Sequence, residues 1–156
     1  LNRAAPIHSS LQLSLKIPTG ENSTLTGSGS TDLDLSWAFK LHRPEQARST
    51  FYGHLGILAM SDNGVLSAYR RDAVVHASIG GQILPWPSLG LSAQISTHSA
   101  FYDSALEDLG QTAAQLQVGA SLYTQRQHSL TFYISEDIAV NTAPDIVIGL
   151  RHEWRP

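Results

Sequence analysis

Cysteine is absent from the 156 residues, which excludes disulfide bonds and thiolate metal sites. Charge is also scarce, because Asp, Glu, Lys and Arg make up only 15% of the chain. The 10 basic residues do not cluster, and the sequence therefore predicts no nucleic-acid partner. No apolar run approaches the roughly 18 residues that a transmembrane helix needs.

What the sequence does contain is an alternation of apolar and polar residues with a period of two. It is clearest over residues 11–17 and 33–41, and it recurs over residues 75–80, 91–96, 114–122, 130–135 and 146–151. Residues 51–60 form the least regular strand. Such alternation indicates half-buried β-strands. One alternative is open: residues 104–117 also fit a short helix, although a loop over residues 103–111 is the simpler interpretation.

The predicted connections alternate in length. Long ones cover residues 18–31, 61–72, 102–111 and 136–145, and short ones cover residues 42–49, 84–88 and 124–128. Outer-membrane barrels have short turns on one side and long loops on the other. The pattern predicts an all-β fold, an antiparallel up-and-down meander of about eight strands. This meander forms an outer-membrane-type β-barrel or an open portion of one, and residues 1–156 are a single domain.

The two faces of the predicted strands differ in character. One carries large apolar residues, and we expect it to face outward at Leu35, Trp37, Phe39, Leu116 and Leu150. The other carries Gln, Ser, Thr, Gly and His with few charges, which is typical of a wet lumen. We expect these polar residues to face the lumen: Gln12, Asp34, Ser36, Gln94, Gln115, Tyr133 and Arg151. Asp34 and Arg151 are expected to pair directly or through water.

Two segments resemble a known family. Residues 15–20 read LKIPTG and residues 25–33 read LTGSGSTDL, which is similar to a strand–loop–strand signature of uncharacterised Gram-negative outer-membrane β-barrel proteins, the domain of unknown function 3187. A related hairpin occurs in porins linked to aromatic-compound degradation. Residues 135–146 resemble that family's closing hairpin. Because its members are longer, the resemblance implies that this chain, which starts without Met, is the C-terminal portion of a larger barrel.

Residues that could carry chemistry are present without a recognisable motif. The seven histidines show no metal-ligand spacing, although His54 and His76 are expected on neighbouring strands of one face. The acids Glu136, Asp137 and Asp145 bracket the last long loop, where solvated carboxylates are the commoner case. We expect no catalytic residue, no metal and no cofactor. An enzyme with a Ser/His pair on the barrel wall is the third-ranked possibility.

The sequence therefore predicts a non-enzymatic protein of the bacterial outer membrane, either a narrow pore or a structural surface protein. Its expected partners are outer-membrane lipid and the barrel-assembly machinery, with a small-molecule solute that the sequence does not identify. The alternative is a soluble β-barrel that binds a small apolar ligand. We also expect an open sheet, in which the first strand near Leu13 does not pair with the last strand near Ile148.

Overall fold

The structure is a computed structural model, and it describes residues 7–19, 29–42, 48–61, 67–105, 110–124, 128–139 and 146–154. Eight strands account for most of these residues. They are β1 (Ile7–Lys16), β2 (Asp32–His42), β3 (Ser49–Met60), β4 (Ala73–Trp86), β5 (Leu89–His98), β6 (Ala113–Tyr123), β7 (His128–Asp137) and β8 (Ile146–Trp154). A short 3-10 turn, Ser67–Tyr69, lies between β3 and β4.

All eight strands form one antiparallel sheet in the order in which they occur along the chain. The predicted up-and-down meander is thus confirmed. Over the described ranges, β1 is hydrogen-bonded only to β2 and β8 only to β7, and Leu13 lies opposite Leu35 rather than Ile148. The sheet is not closed into a barrel, as the expectation of an open sheet required.

Several strand limits differ from the sequence prediction, and the differences at β1 and β4 have a clear structural reason. β1 begins at Ile7, because His8 and Ser9 pair with Lys40 and Phe39 of β2 although they do not alternate in polarity. Backbone pairing needs no apolar side chain, so the alternation alone misses this part of the strand. β4 continues to Trp86 through an irregularity between Ile83 and Trp86. Pro85 lies inside it and has no N–H to donate, which accounts for the interrupted pairing.

The connections alternate in length as predicted. The strand ends at Lys16, Met60, His98 and Asp137 precede the long connections and define the long-connection end of the sheet. The strand ends at His42, Trp86 and Tyr123 precede the short connections and define the short-connection end. Two long connections pair with each other, since Arg71 N donates to Phe101 O over 2.9 Å and Asp103 N to Tyr69 O over 2.6 Å. The helix alternative is wrong for residues 113–117, which lie in β6. Residues 106–109 lie outside the described residues.

The strand register sorts the side chains onto two faces, because directly opposed residues project to the same side. The apolar face is defined by rows such as Leu13, Leu35, Ile57 and Val75. The polar face is defined by rows such as Gln12, Ser36, Gly56 and His76. In the part of the chain that the structure describes, no helix is long and apolar enough to cross a membrane.

The single sheet buries little of its apolar face. The buried hydrophobic residues among those described are Met60, Val74 and Ala100, whereas Leu35, Trp37 and Leu150 remain 43%, 46% and 69% exposed. Met60 and Val74 lie on the polar side, opposite Asp32 and Leu58 respectively. Side chains are therefore better covered on the polar face than on the apolar one, the reverse of a soluble half-buried sheet.

Candidate functional site on the polar face

The polar face brings together all seven residues that the sequence analysis assigned to a lumen. Gln12 lies opposite Ser36, Asp34 opposite Ser14, and Gln115 opposite Ser96. The strand register places the remaining three on the same face. Gln94 is opposite Gly80, Tyr133 opposite Gly149, and Arg151 opposite Thr131. The residues expected to face outward, Leu35, Trp37, Phe39, Leu116 and Leu150, all lie on the apolar face.

A hydrogen-bonded cluster spans β2, β3 and β4 on the polar face. His76 Nε2 lies 2.6 Å from Asp34 Oδ2, and Ser78 Oγ lies 2.7 Å from His54 Nδ1. The two imidazole rings are 5.3 Å apart between centroids and tilted by 54°. His54 and His76 were expected on neighbouring strands of one face, and they do lie side by side there. Asp34 and Ser78 each engage one nitrogen of a ring and so fix how that ring is turned.

A cleft of about 290 Å³ opens beside this cluster. Its polar lining comes from β3 to β7 and comprises His54, His76, Ser96, His98, Gln115 and Asp137. His98 Nδ1 lies 3.0 Å from the carbonyl oxygen of Ser99, and Gln115 Nε2 donates to Asp137 Oδ1 over 3.5 Å. The cleft thus offers imidazole, hydroxyl and amide groups and one carboxylate to a solute.

A second polar cluster lies on the polar face at the long-connection end. Asp32 is 6% exposed, and its carboxylate accepts from Lys16 Nζ at 2.5 Å and from Arg70 Nη2 at 3.1 Å. Lys16 Nζ also lies 3.3 Å from Oγ of the buried Ser30. Arg70 belongs to the connection between β3 and β4, so its contact with Asp32 links that connection to the first residue of β2. A buried carboxylate needs such compensation to remain charged.

The expected pairing of Asp34 with Arg151 is wrong. Asp34 contacts His76, and Arg151 Nη1 lies 3.7 Å from Glu153 Oε1 on its own strand. In an open sheet β2 and β8 are not hydrogen-bonded neighbours, so nothing draws the two charges together. Glu136 and Asp137 were expected in the last long loop, and both lie instead in β7. Asp145 lies outside the described residues.

Three rings of the polar face lie directly opposite a glycine of the neighbouring strand. His76 faces Gly56, Tyr52 faces Gly80, and these glycines leave the space that the rings occupy. A Cβ atom at Gly80 would lie 2.9 Å from the Tyr52 ring. Tyr133 packs in the same way against Gly149 of β8. Because of this packing, the rings lie along the wall of the sheet.

Aromatic and imidazole rings also gather near the short-connection end of the apolar face. His128 Nδ1 lies 3.1 Å from His152 Nε2, and the His128 ring is 6.4 Å from the Trp154 ring between centroids. Trp86 and Phe51 are exposed near the same end. Exposed rings therefore concentrate at one end of the apolar face.

No three His, Asp or Glu residues converge on a possible metal position among the residues described. The sequence analysis named no partner for Arg70, Ser78 or His98. The period of two could have placed Ser78 and His98 on the polar face, where they lie opposite His54 and His76. Arg70 lies in a connection that has no such periodicity, so its position could not be predicted in this way.

Residues 2–154 match the family described as protein of unknown function DUF3187. The chain belongs to the DUF3187 family. The resemblance inferred from two sequence segments is therefore confirmed for the family, and the match extends over both of them. Comparison of this DUF3187 chain with curated proteins and with solved structures found no match.

Proposed function

We propose that this DUF3187 chain forms the wall of a bacterial outer-membrane β-barrel, with its apolar face against lipid and its polar face along an aqueous interior. The observation that carries the proposal is the apolar face itself. Large apolar side chains remain exposed on it from Leu13 in β1 to Leu150 in β8. A soluble monomer rarely exposes a contiguous apolar patch of more than about 300–600 Å².

The polar face supports the same assignment. Gln12, Asp34, Ser36, Gln94, Gln115, Tyr133 and Arg151 would face the interior, where small polar side chains and water satisfy one another. Its charged side chains are few and have polar partners, as Asp34 has in His76. The strands are also long enough, since β2 and β6 have 11 residues each and a tilted membrane strand needs about 9–11.

The two ends of the sheet give the proposed wall an orientation. Short turns of outer-membrane barrels face the periplasm and long loops face the outside. The strand ends at Trp86 and Tyr123 would then lie on the periplasmic side, and the paired connections around Arg71 and Phe101 would be extracellular. The role is non-enzymatic, either a narrow pore or a structural surface protein, and the partners are outer-membrane lipid and the barrel-assembly machinery.

Cysteine scanning tests the proposal. These 156 residues contain no native cysteine that would also react with the fluorophore. Leu35→Cys and Ser36→Cys are a matched pair on adjacent residues of β2 that project to opposite faces. In the full-length protein reconstituted in vesicles, a lipid-phase quencher should reach a fluorophore at residue 35, and a water-soluble quencher should reach one at residue 36.

Two results contradict the proposal. Recovery of the protein from the aqueous fraction without detergent excludes a membrane wall. Protection of residue 35 from both quenchers indicates that the apolar face lines a closed interior, as in a soluble barrel that binds an apolar ligand. Conductance across a planar bilayer then separates the pore from the structural protein.

A further inference from the structure

The cleft on the polar face lies within the sheet rather than at its edges. The polar residues that line it come from β3 to β7 and are His54, His76, Ser96, His98, Gln115 and Asp137. None of the described lining residues belongs to β1 or β8, so the lining does not depend on which strands pair with the edges of the sheet. Its volume of about 290 Å³ is that of a small-molecule site, since ligand pockets start at roughly 300 Å³.

Two histidines of the cleft have a ring nitrogen whose role is fixed by its partner. His98 Nδ1 lies 3.0 Å from the carbonyl oxygen of Ser99, which can only accept, so Nδ1 carries a proton and donates. His76 Nε2 lies 2.6 Å from a carboxylate oxygen of Asp34 and donates for the same reason. In a neutral imidazole the second nitrogen is then an acceptor. His98 Nε2 and His76 Nδ1 are therefore acceptors, and neither has a hydrogen-bond donor among the residues described.

Gln115 and Asp137 add further acceptors to the same lining. Gln115 Nε2 lies 3.5 Å from Asp137 Oδ1. Because a carboxylate only accepts, the amide nitrogen must face it, and the amide oxygen of Gln115 is left as an acceptor. This long contact uses little of the carboxylate, which can accept about four hydrogen bonds. Asp137 is also the only Asp, Glu, Lys or Arg among the described residues that line the cleft.

A ligand that matches these acceptors must supply hydrogen-bond donors, and a ligand that matches the carboxylate must be a cation. We propose that the cleft binds a small organic cation with N–H donors, namely a primary ammonium or a guanidinium group. A carboxylate or phosphate solute would instead bring further acceptors against His76, His98 and Gln115. A metal ion fits less well, because no three His, Asp or Glu residues converge on one position in the part of the chain described.

The inference rests on the proposed function for the access of such a solute, which would reach the polar face from the aqueous interior. The binding itself depends only on the cleft. It can therefore be measured on the full-length protein in detergent, separately from insertion into a membrane.

Isothermal titration calorimetry with small probes that differ in charge and in donors tests the proposal. Butylammonium has the charge and the N–H donors, tetramethylammonium has the charge without donors, butanol is neutral, and butyrate is an anion. The titrations are made at about pH 8, where imidazole is ordinarily neutral because its unperturbed pKa is about 6.5. Phosphate is the buffer, because it contains no competing amine. Butylammonium should bind about tenfold or more tightly than each of the other probes.

Substitutions in the lining then locate the site. Asp137→Asn should weaken the binding of butylammonium about tenfold or more, the factor expected for the loss of a charge-assisted hydrogen bond. Glu153→Gln is the matched control, because it removes a carboxylate from the same face of β8, outside the lining, and should leave the affinity unchanged. His98→Phe keeps a ring but removes the acceptor, and it should weaken binding about two- to tenfold.

Several results would overturn the assignment. Equal affinity for butylammonium and tetramethylammonium would show that charge without donors suffices, and equal affinity for butanol would show that no cation is required. The absence of binding heat with butylammonium, or an equal effect of Asp137→Asn and Glu153→Gln, would remove the site from the cleft. Fractionation of the same protein reports on the membrane separately. A protein that is recovered in the aqueous fraction and still binds butylammonium through Asp137 contradicts the proposed function and supports the cleft assignment.

Discussion

His76 on β4 reaches Asp34 on β2 across the intervening strand, and Nε2 and Oδ2 are 2.6 Å apart. The residue of β3 directly opposite His76 is Gly56, and a Cβ atom there would lie 2.5 Å from Nε2. The missing side chain of Gly56 is thus what allows an imidazole to cross β3 and contact a carboxylate two strands away.

Gly56→Ala should therefore break the contact between His76 and Asp34. The added methyl group would lie between the His76 imidazole and the Cβ atom of Ser36, and overpacking of this kind costs about 1–3 kcal/mol. Chemical denaturation in detergent, followed by tryptophan fluorescence, measures the free energy of unfolding. In a His76→Ala background the same substitution should cost much less, since the obstructing ring is gone. Equal costs in both backgrounds would show that the ring does not occupy this space.

Asp34→Asn tests the other partner of the same contact. Hydrogen bonds to a charged group contribute about 1.5–3 kcal/mol, and the side chains of Asp34 and His76 are only 22% and 26% exposed. We expect the unfolding free energy to fall by roughly this amount. The control is Asp103→Asn, whose carboxylate is 89% exposed and 4.0 Å from Arg71. It should change stability by less than about 0.5 kcal/mol, and a similar loss in both variants would contradict the assignment.

The sheet and its two faces could be predicted from the sequence because side-chain direction alternates strictly along a strand. Once residues 33–41 are assigned as a strand, Leu35 and Ser36 must project to opposite faces, and the short turns leave only antiparallel pairing with the next strand. Residues 7–10 were missed because they pair through the backbone without alternating in polarity.

The clusters on the polar face could be predicted only in part. His54 and His76 share a face by parity, but the contact of His76 with Asp34 depends on the approach of β2 and β4 across Gly56. The expected pair of Asp34 with Arg151 assumed a narrow closed barrel. The contact of Arg70 with Asp32 depends on the path of a long connection, which no periodicity describes.

Leu35→Arg measures whether the apolar face contacts lipid. An Arg on the lipid face near the bilayer midplane costs about 2–4 kcal/mol, because its charge must leave water or distort the membrane. The control is Gln12→Arg on the polar face, where the side chain is exposed and would reach the aqueous interior. The free energy of unfolding in lipid vesicles should fall for Leu35→Arg and change little for Gln12→Arg. Equal losses would contradict the proposed assignment of the two faces.

The two cations on Asp32 should differ sharply in their contribution to stability. The side chain of Arg70 is 12% exposed and that of Lys16 is 51% exposed, while the carboxylate they share is 7% exposed. Breaking a buried ion pair by removing one partner costs about 3–5 kcal/mol, whereas a solvated partner contributes about 0–1 kcal/mol. Arg70→Met should therefore destabilise the protein much more than Lys16→Met, although Lys16 makes the shorter contact. The free energies of unfolding of both variants are measured in the same detergent. A larger loss of unfolding free energy for Lys16→Met would show that the contact distance, rather than burial, determines the contribution to stability.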